Sequence, residues 1–148
     1  MLEPVQTGEF TEASILEILR EKHTKGLFVD HCKTGPSYFS QGQAILDAWV
    51  MPYSWTKPII GYEVKVSRGD FVRDHKWVSY LPYCNLFYFV CPHGLIEARE
   101  VREEAGLIWI SKTGKAIRYI KRAPFRWWHT IPPSIFQYVI MWRNNQPC

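Results

Sequence analysis

The strongest constraint on how this chain folds is the segment 59–91, which reads as strand, helix, strand. Leu86-Phe87-Tyr88-Phe89-Val90 is apolar at every position, the pattern of a strand buried on both faces at the centre of a sheet. Ile59 to Val66 alternates instead. Glu63 and Lys65 share one face, and Ile60, Tyr62, Val64 and Val66 take the other. Ser67 stands three residues before Asp70, a capping-box-like pair, with Val66 and Phe71 at the positions of a hydrophobic staple. A helix is therefore expected from Arg68 to about Leu81, with Pro82 as its stop. Such a unit puts its strands parallel and its crossover right-handed.

The flanking segments extend this reading. Thr11 to His23 reads as a helix capped by Thr11, with Ile15, Leu16, Ile18 and Leu19 as its apolar stripe and Gly26 as its end. Leu27–Lys33, Ala44–Met51 and Lys57–Val66 read as strands, the first ending at Gly35-Pro36-Ser37. Leu107–Ser111 and Lys115–Ile120 flank Lys112-Thr113-Gly114 as a hairpin, and Pro132-Pro133-Ser134 opens a last helix running to Arg143. No repeat or linker interrupts the 148 residues, so one α/β (α+β) domain spanning 1–148 is expected. At that length folding hides roughly two thirds of the unfolded surface.

Charge is unevenly placed. Residues 1–104 hold 11 Lys and Arg against 14 Asp and Glu, whereas 105–148 hold 7 Lys and Arg and no acid. That division suits a polyanion gripped by one part of the chain and worked on by another. No apolar run is long enough to span a bilayer, and the N-terminus lacks a secretory core, so no membrane partner is expected. Cys32, Cys84, Cys91 and Cys148 form no C-x-x-C pair, which points to buried thiols in a reducing, cytoplasmic setting. The five histidines fall in no arrangement that supports a nucleophile triad.

Asp47 sits among Ile45, Leu46, Ala48, Trp49 and Val50. A carboxylate inside such a strand loses solvation and needs a counter-charge. Beside Glu63 it would be repelled unless a cation lay between them, and two carboxylates with a strand carbonyl are hard oxygen ligands suited to Mg²⁺. The plain alternative is a structural ion pair between strands. Glu63-Val64-Lys65 is a weak signal by itself. Asp74-His75-Lys76 has the same spacing but falls inside the expected helix, where alternate residues do not share a face.

Asp47, Glu63-Val64-Lys65 and the run Val66-Ser67-Arg68-Gly69-Asp70-Phe71 resemble the PD-(D/E)XK nuclease superfamily. Continued through Asp74, Lys76-Trp77, Tyr80, Tyr83-Cys84-Asn85 and Phe87-Tyr88-Phe89, they are most similar to its MmcB-like DNA-repair group. The resemblance covers about residues 11–92. Leu46 replaces the Pro of the superfamily's name, and Asn85 stands where an Asp is expected.

The resemblance implies a restriction-endonuclease-like core, a mixed sheet flanked by helices, acting as a deoxyribonuclease in repair, recombination or phage DNA processing. Asp47, Glu63 and the Val64 carbonyl would hold Mg²⁺, with Mn²⁺ as a substitute. Lys65 would orient the attacking water or stabilise the transition state. Glu12 resembles the acid that many members add from the first helix. Arg68, Arg73 and Lys76 face either DNA or solvent.

Lys112, Lys115, Arg118, Lys121, Arg122 and Arg126, next to Trp127, Trp128 and His129, read as a phosphate-binding tract with aromatic support. A non-catalytic DNA-binding module of the same fold and an RNA phosphodiesterase are the alternatives. A chain this small cutting both strands would act as a homodimer.

Overall fold

The computed structural model describes residues 9–35, 44–126 and 130–143. Pro36, Ser37, Trp127, Trp128, His129 and Cys148, which the sequence reading invoked, lie outside them. The fold is α+β, built on one six-stranded mixed sheet. Helix α1 (Glu12–Lys22) leads into strands β1 (Gly26–Lys33), β2 (Ile45–Pro52) and β3 (Ile60–Val64). Helix α2 (Arg68–Arg73) and a 3-10 segment (Trp77–Tyr83) connect to β4 (Leu86–Pro92). Strands β5 (Gly106–Ile110) and β6 (Ile117–Lys121) and helix α3 (Pro133–Tyr138) follow, the last continuing as a π-helical turn to Arg143. Spatial order equals chain order, with β3, β4 and β5 parallel and the other pairs antiparallel.

The expected strand-helix-strand unit is present, because β4 is buried on both faces and pairs in parallel with β3. One face of the sheet packs Tyr62, Val64 and Val90 against Ile15, Leu16 and Leu19 of α1. The other packs Trp49, Phe87 and Phe89 against Trp77 and Tyr80, and carries Ile135 and Tyr138 from the C-terminal helix.

Thr11 caps α1 as expected, in reciprocal bonds with Ser14. The helix ends at His23, however, and Gly26 begins β1. Any side chain at Gly26 would stand 3.0 Å from the Met51 carbonyl across the ladder. β3 is also shorter than the expected Lys57–Val66, its parallel pairing with β4 running only from Ile60↔Leu86 to Val64↔Val90.

The largest departure lies between Arg68 and Pro82. The continuous helix to Leu81 is instead a six-residue α2 followed by a separate 3-10 segment. Asp74 divides them, with its Oδ1 accepting from the Lys76 N–H at 2.8 Å and the Trp77 N–H at 3.1 Å. Aspartate favours such local caps over a helix interior. Pro82 lies within the 3-10 segment and does not stop a helix.

The last third completes the sheet. β5 and β6 form its edge hairpin, and α3 is fastened to the opposite edge at β1. Ser134 Oγ donates to the Thr34 carbonyl at 2.6 Å, and Arg143 donates to the Asp30 carboxylate at 2.9 Å.

Candidate functional site

The site forms where β2 and β3 separate. Their pairing reaches Ala48↔Tyr62 and goes no further toward Asp47 and Glu63. Two side chains occupy the gap. Asp47 Oδ2 accepts the Val64 N–H at 2.7 Å, and Glu63 Oε1 accepts the Asp47 N–H at 3.4 Å. Lys65 N–H donates to the Val90 carbonyl, so strand alternation turns the Val64 N–H and C=O toward the fork. Two carboxylates and the Val64 carbonyl thus converge on one opening.

Asp47 is turned there by an irregularity in β1. His31, opposite it, adopts a positive φ of 47°, uncommon for a residue other than glycine. Pairing passes from Asp30↔Ala48 to Cys32↔Leu46, and Leu46 and Ala48 fall in opposite cores. The regular alternation of sides slips at Asp47.

The acids are chemically uncomfortable. Burial pushes the Asp47 carboxyl up from the ordinary carboxylate range. The Val64 N–H opposes that shift, the Glu12 charge adds to it, and Lys65 and a side-chain hydrogen bond with Glu63 pull it back. Glu63 is 7% exposed. Its carboxyl is raised by burial first and by Asp47 second, against the pull of Lys65. Two adjacent buried carboxyls that resist joint ionisation call for a cation or a shared proton.

Lys65, 8% exposed, supplies part of that charge but is divided between partners. Its Nζ lies 3.7 Å from Glu63 Oε2 and 2.6 Å from Asp74 Oδ2. Asp74 carries no site signal in the sequence, because its triplet with Lys76 falls inside the expected helix. Its signal was legible as a cap: an Asp followed by amides two and three residues on. Tyr80 is also close, since the charges of Glu63, Asp74 and Asp47 join burial in raising its phenol. A cleft of about 290 Å³ opens over Glu63, Val64 and Lys65, rimmed by Arg73, His75 and Lys76.

The structure gathers Asp47, Glu63, Val64 and Lys65, and it brings Glu12 within electrostatic reach of Asp47. Glu12 Oε2 also stands 3.9 Å from His31 Nε2. Arg73 and Lys76 border the cleft. Arg68 is turned away, with its guanidinium bonded to Glu100 at 2.6 Å and 3.1 Å and to the Leu95 carbonyl.

The basic tract of the last third is divided by the hairpin. Lys112 and Lys115 sit in the turn between β5 and β6, at the end of the sheet where β3 reaches Val64. Gly114 of that turn lies against Phe10 and Ile18 beside α1. Arg118 is exposed near the start of β6. Lys121, Arg122 and Arg126 fall toward the other end. Lys121 Nζ donates to the carbonyls of Val101, Arg102 and Ala105. Arg126 donates to the Cys84 carbonyl, and the Arg122 guanidinium lies 4.0 Å from the Tyr119 ring centre. Asn85 is structural, accepting the Ile59 N–H and donating to the Arg126 carbonyl.

Among the described residues no three His, Cys, Asp or Glu side chains converge to hold a metal unaided. Two carboxylates and a backbone carbonyl nevertheless fit Mg²⁺, which takes few protein ligands and keeps several waters. Cys32, Cys84 and Cys91 are free and buried, and burial pushes the Cys84 thiol up to about 12, so these are inert core groups. No helix among the described residues is long and apolar enough to cross a membrane.

The sequence matches no protein-family model and no curated protein. Among solved structures, the SPO1766 protein of unknown function from Silicibacter pomeroyi is similar in fold, with a TM-score of 0.61 at 20% identity over 93% of this chain and 84% of that one. The chain therefore shares its α+β architecture with that bacterial protein.

Proposed function

We propose that the protein is a Mg²⁺-dependent deoxyribonuclease on a restriction-endonuclease-like core, hydrolysing phosphodiester bonds in DNA repair, recombination or phage DNA processing. One observation carries this reading: Asp47 and Glu63 are adjacent, desolvated carboxyls at a strand fork, with the Lys65 ammonium beside them. Asp47, Glu63 and the Val64 carbonyl would hold the cation. When bound, it supplies a lowered pKa for a coordinated water and charge neutralisation at the phosphate. Lys65 has its largest effect where negative charge builds on the phosphoryl oxygens. Arg73 and Lys76 on the rim of the cleft position the DNA backbone by charge. Glu12, from α1, adds negative charge on the Asp47 side.

A second reading rests on the bonds the same carboxylates make. Asp47 and Glu63 satisfy backbone amides that the fork leaves unpaired, a structural duty that a non-catalytic DNA-binding module would also need. Nicking of supercoiled DNA in Mg²⁺ or Mn²⁺ separates the two. The nuclease reading expects cleavage that disappears in Asp47→Ala and Lys65→Ala while DNA binding persists. Equal cleavage by these variants and the parent protein overturns it. A panel of duplex, branched, single-stranded and RNA substrates decides between DNA and RNA.

A further inference from the structure

Three adjoining cavities lie at the other end of β3, about 13 Å from the fork at the rise of an extended strand. One, of about 430 Å³, is lined by Lys22, Lys25 and Lys57 together with His23. Lys57 also borders a second, of about 560 Å³, beside Trp55 and Phe125. It borders a third, of about 610 Å³, beside Tyr53 and Trp55. Among the described residues no Asp or Glu lines any of the three. The three lysines are exposed, and among the described residues none of them forms an ion pair.

The aromatic groups are fixed beside this charge. Trp55 is fully exposed and Tyr53 is 71% exposed. Their loop is tied to the lysine-bearing segment, since the Tyr53 N–H donates to the Lys25 carbonyl at 3.0 Å and Pro52 pairs with Gly26. Ser54 Oγ and Thr56 Oγ1 bond across the tip at 3.2 Å. Trp55, Tyr53 and the exposed Phe125 together line these cavities, and an aromatic patch left uncovered by the fold suits a partner.

We propose that this groove binds single-stranded DNA, with Lys22, Lys25 and Lys57 at phosphates and Trp55 as the platform on which a base stacks. A chain that alternates anionic groups with flat aromatic ones matches acid-free lysine cavities next to an exposed indole. An acidic peptide supplies the charge but no flat group for Trp55. An anionic membrane requires a flat or protruding face, whereas these lysines line a hollow. The choice of DNA over RNA rests on the nuclease reading; the charge and stacking argument does not.

The test is fluorescence anisotropy with a labelled oligothymidylate of about 16 nucleotides, the span of a large single-strand site. Binding is read in EDTA, so a failure of the nuclease reading leaves the result interpretable. Unfolding temperature serves as the check on folding, which these exposed positions should not disturb. The triple variant Lys22→Ala, Lys25→Ala, Lys57→Ala is expected to lose at least tenfold in affinity at low salt. Its log–log salt slope should fall by about 2, from three single-strand phosphate contacts at ~0.7 each. Trp55→Ala is expected to lose roughly 5- to 150-fold on the single strand, the cost of one stacked base, and little on a duplex. Unchanged oligothymidylate binding in both variants overturns the proposal. So does a loss seen only on polyglutamate or phosphatidylserine vesicles, and tighter binding of oligouridylate overturns the assignment to DNA.

Discussion

Lys65 Nζ stands 2.6 Å from Asp74 Oδ2 and 3.7 Å from Glu63 Oε2, and all three side chains are at most 10% exposed. The lysine nearest the candidate metal site therefore forms its closer ion pair with an acid from the helix break, a residue 11 places from Glu63 in the chain. Asp74 spends its other oxygen on the Lys76 and Trp77 amides, which fixes the carboxylate in place.

Removing Asp74 should cost both stability and positioning. Breaking a buried ion pair from one side leaves an uncompensated charge, worth about 3–5 kcal/mol. Asp74→Ala is expected to lose that much in urea denaturation, and the double variant Asp74→Leu, Lys65→Met to recover part of it. An Asp74→Ala protein as stable as the parent would show that the pair is solvated in solution.

The fork acids make a pH prediction whose sign is opposite to that of a salt-bridged carboxylate. Burial raises both Asp47 and Glu63 above their unfolded values. The folded state thus holds protons that the unfolded state has released, and stability falls as pH rises from about 4 upward. Metal-free protein should melt lower at pH 8 than at pH 5 on account of this pair. Glu63→Gln should raise the unfolding temperature at pH 8 and flatten the dependence. If the variant melts lower across the whole range, the Glu63–Lys65 ion pair outweighs the cost of burying the charge.

A divalent cation should restore what deprotonation removes. Mg²⁺ at about 100 times its dissociation constant adds about 2.7 kcal/mol to a protein that binds it only when folded. Thermal denaturation is expected to show that gain at pH 8 for the parent protein and not for Asp47→Asn. An equal gain in both would place any bound ion elsewhere.

The divided basic tract separates two kinds of variant. Lys112, Lys115 and Arg118 are exposed, and replacing all three with Ala should lower the salt slope of duplex binding by up to about 3, at ~0.9 per phosphate, with the unfolding temperature kept. Lys121→Ala instead strips the bonds from three loop carbonyls, and should register as lost stability in calorimetry.

Gly106 tests the sheet itself. A Cβ there would stand 2.6 Å from the Ala123 amide nitrogen, and Tyr88 is closer still. Gly106→Ala is expected to lose about 1–3 kcal/mol in urea denaturation, since overpacking against backbone cannot relax by a rotamer change. A neutral result would mean that the chain after β6 moves freely from β5.

Much of this architecture is local and was readable without coordinates. The alternation of Ile60 to Val66 put Glu63 and Lys65 on one face, the unbroken apolar run made β4 a central parallel strand, and Lys112-Thr113-Gly114 marked the hairpin turn. These follow from strand period, burial on two faces and turn chemistry, each a property of a few neighbouring residues. The helix expected to Leu81 failed for an equally local reason, because Asp74 satisfied nearby amides more readily than it continued a helix.

Tertiary structure alone decided the rest. Asp47 reaches the Val64 amide only because β2 and β3 part and His31 breaks the alternation across the ladder. Lys65 finds Asp74 only because the helix break folds back over the end of β3. The acid-free tract is continuous in sequence, yet the hairpin sends Lys112 and Lys115 to the site's end of the sheet and turns Lys121 and Arg126 inward as backbone caps. A sequence records charge and period along one dimension. Which charges meet depends on loop closure and strand divergence, and those are set by the packing of the whole domain.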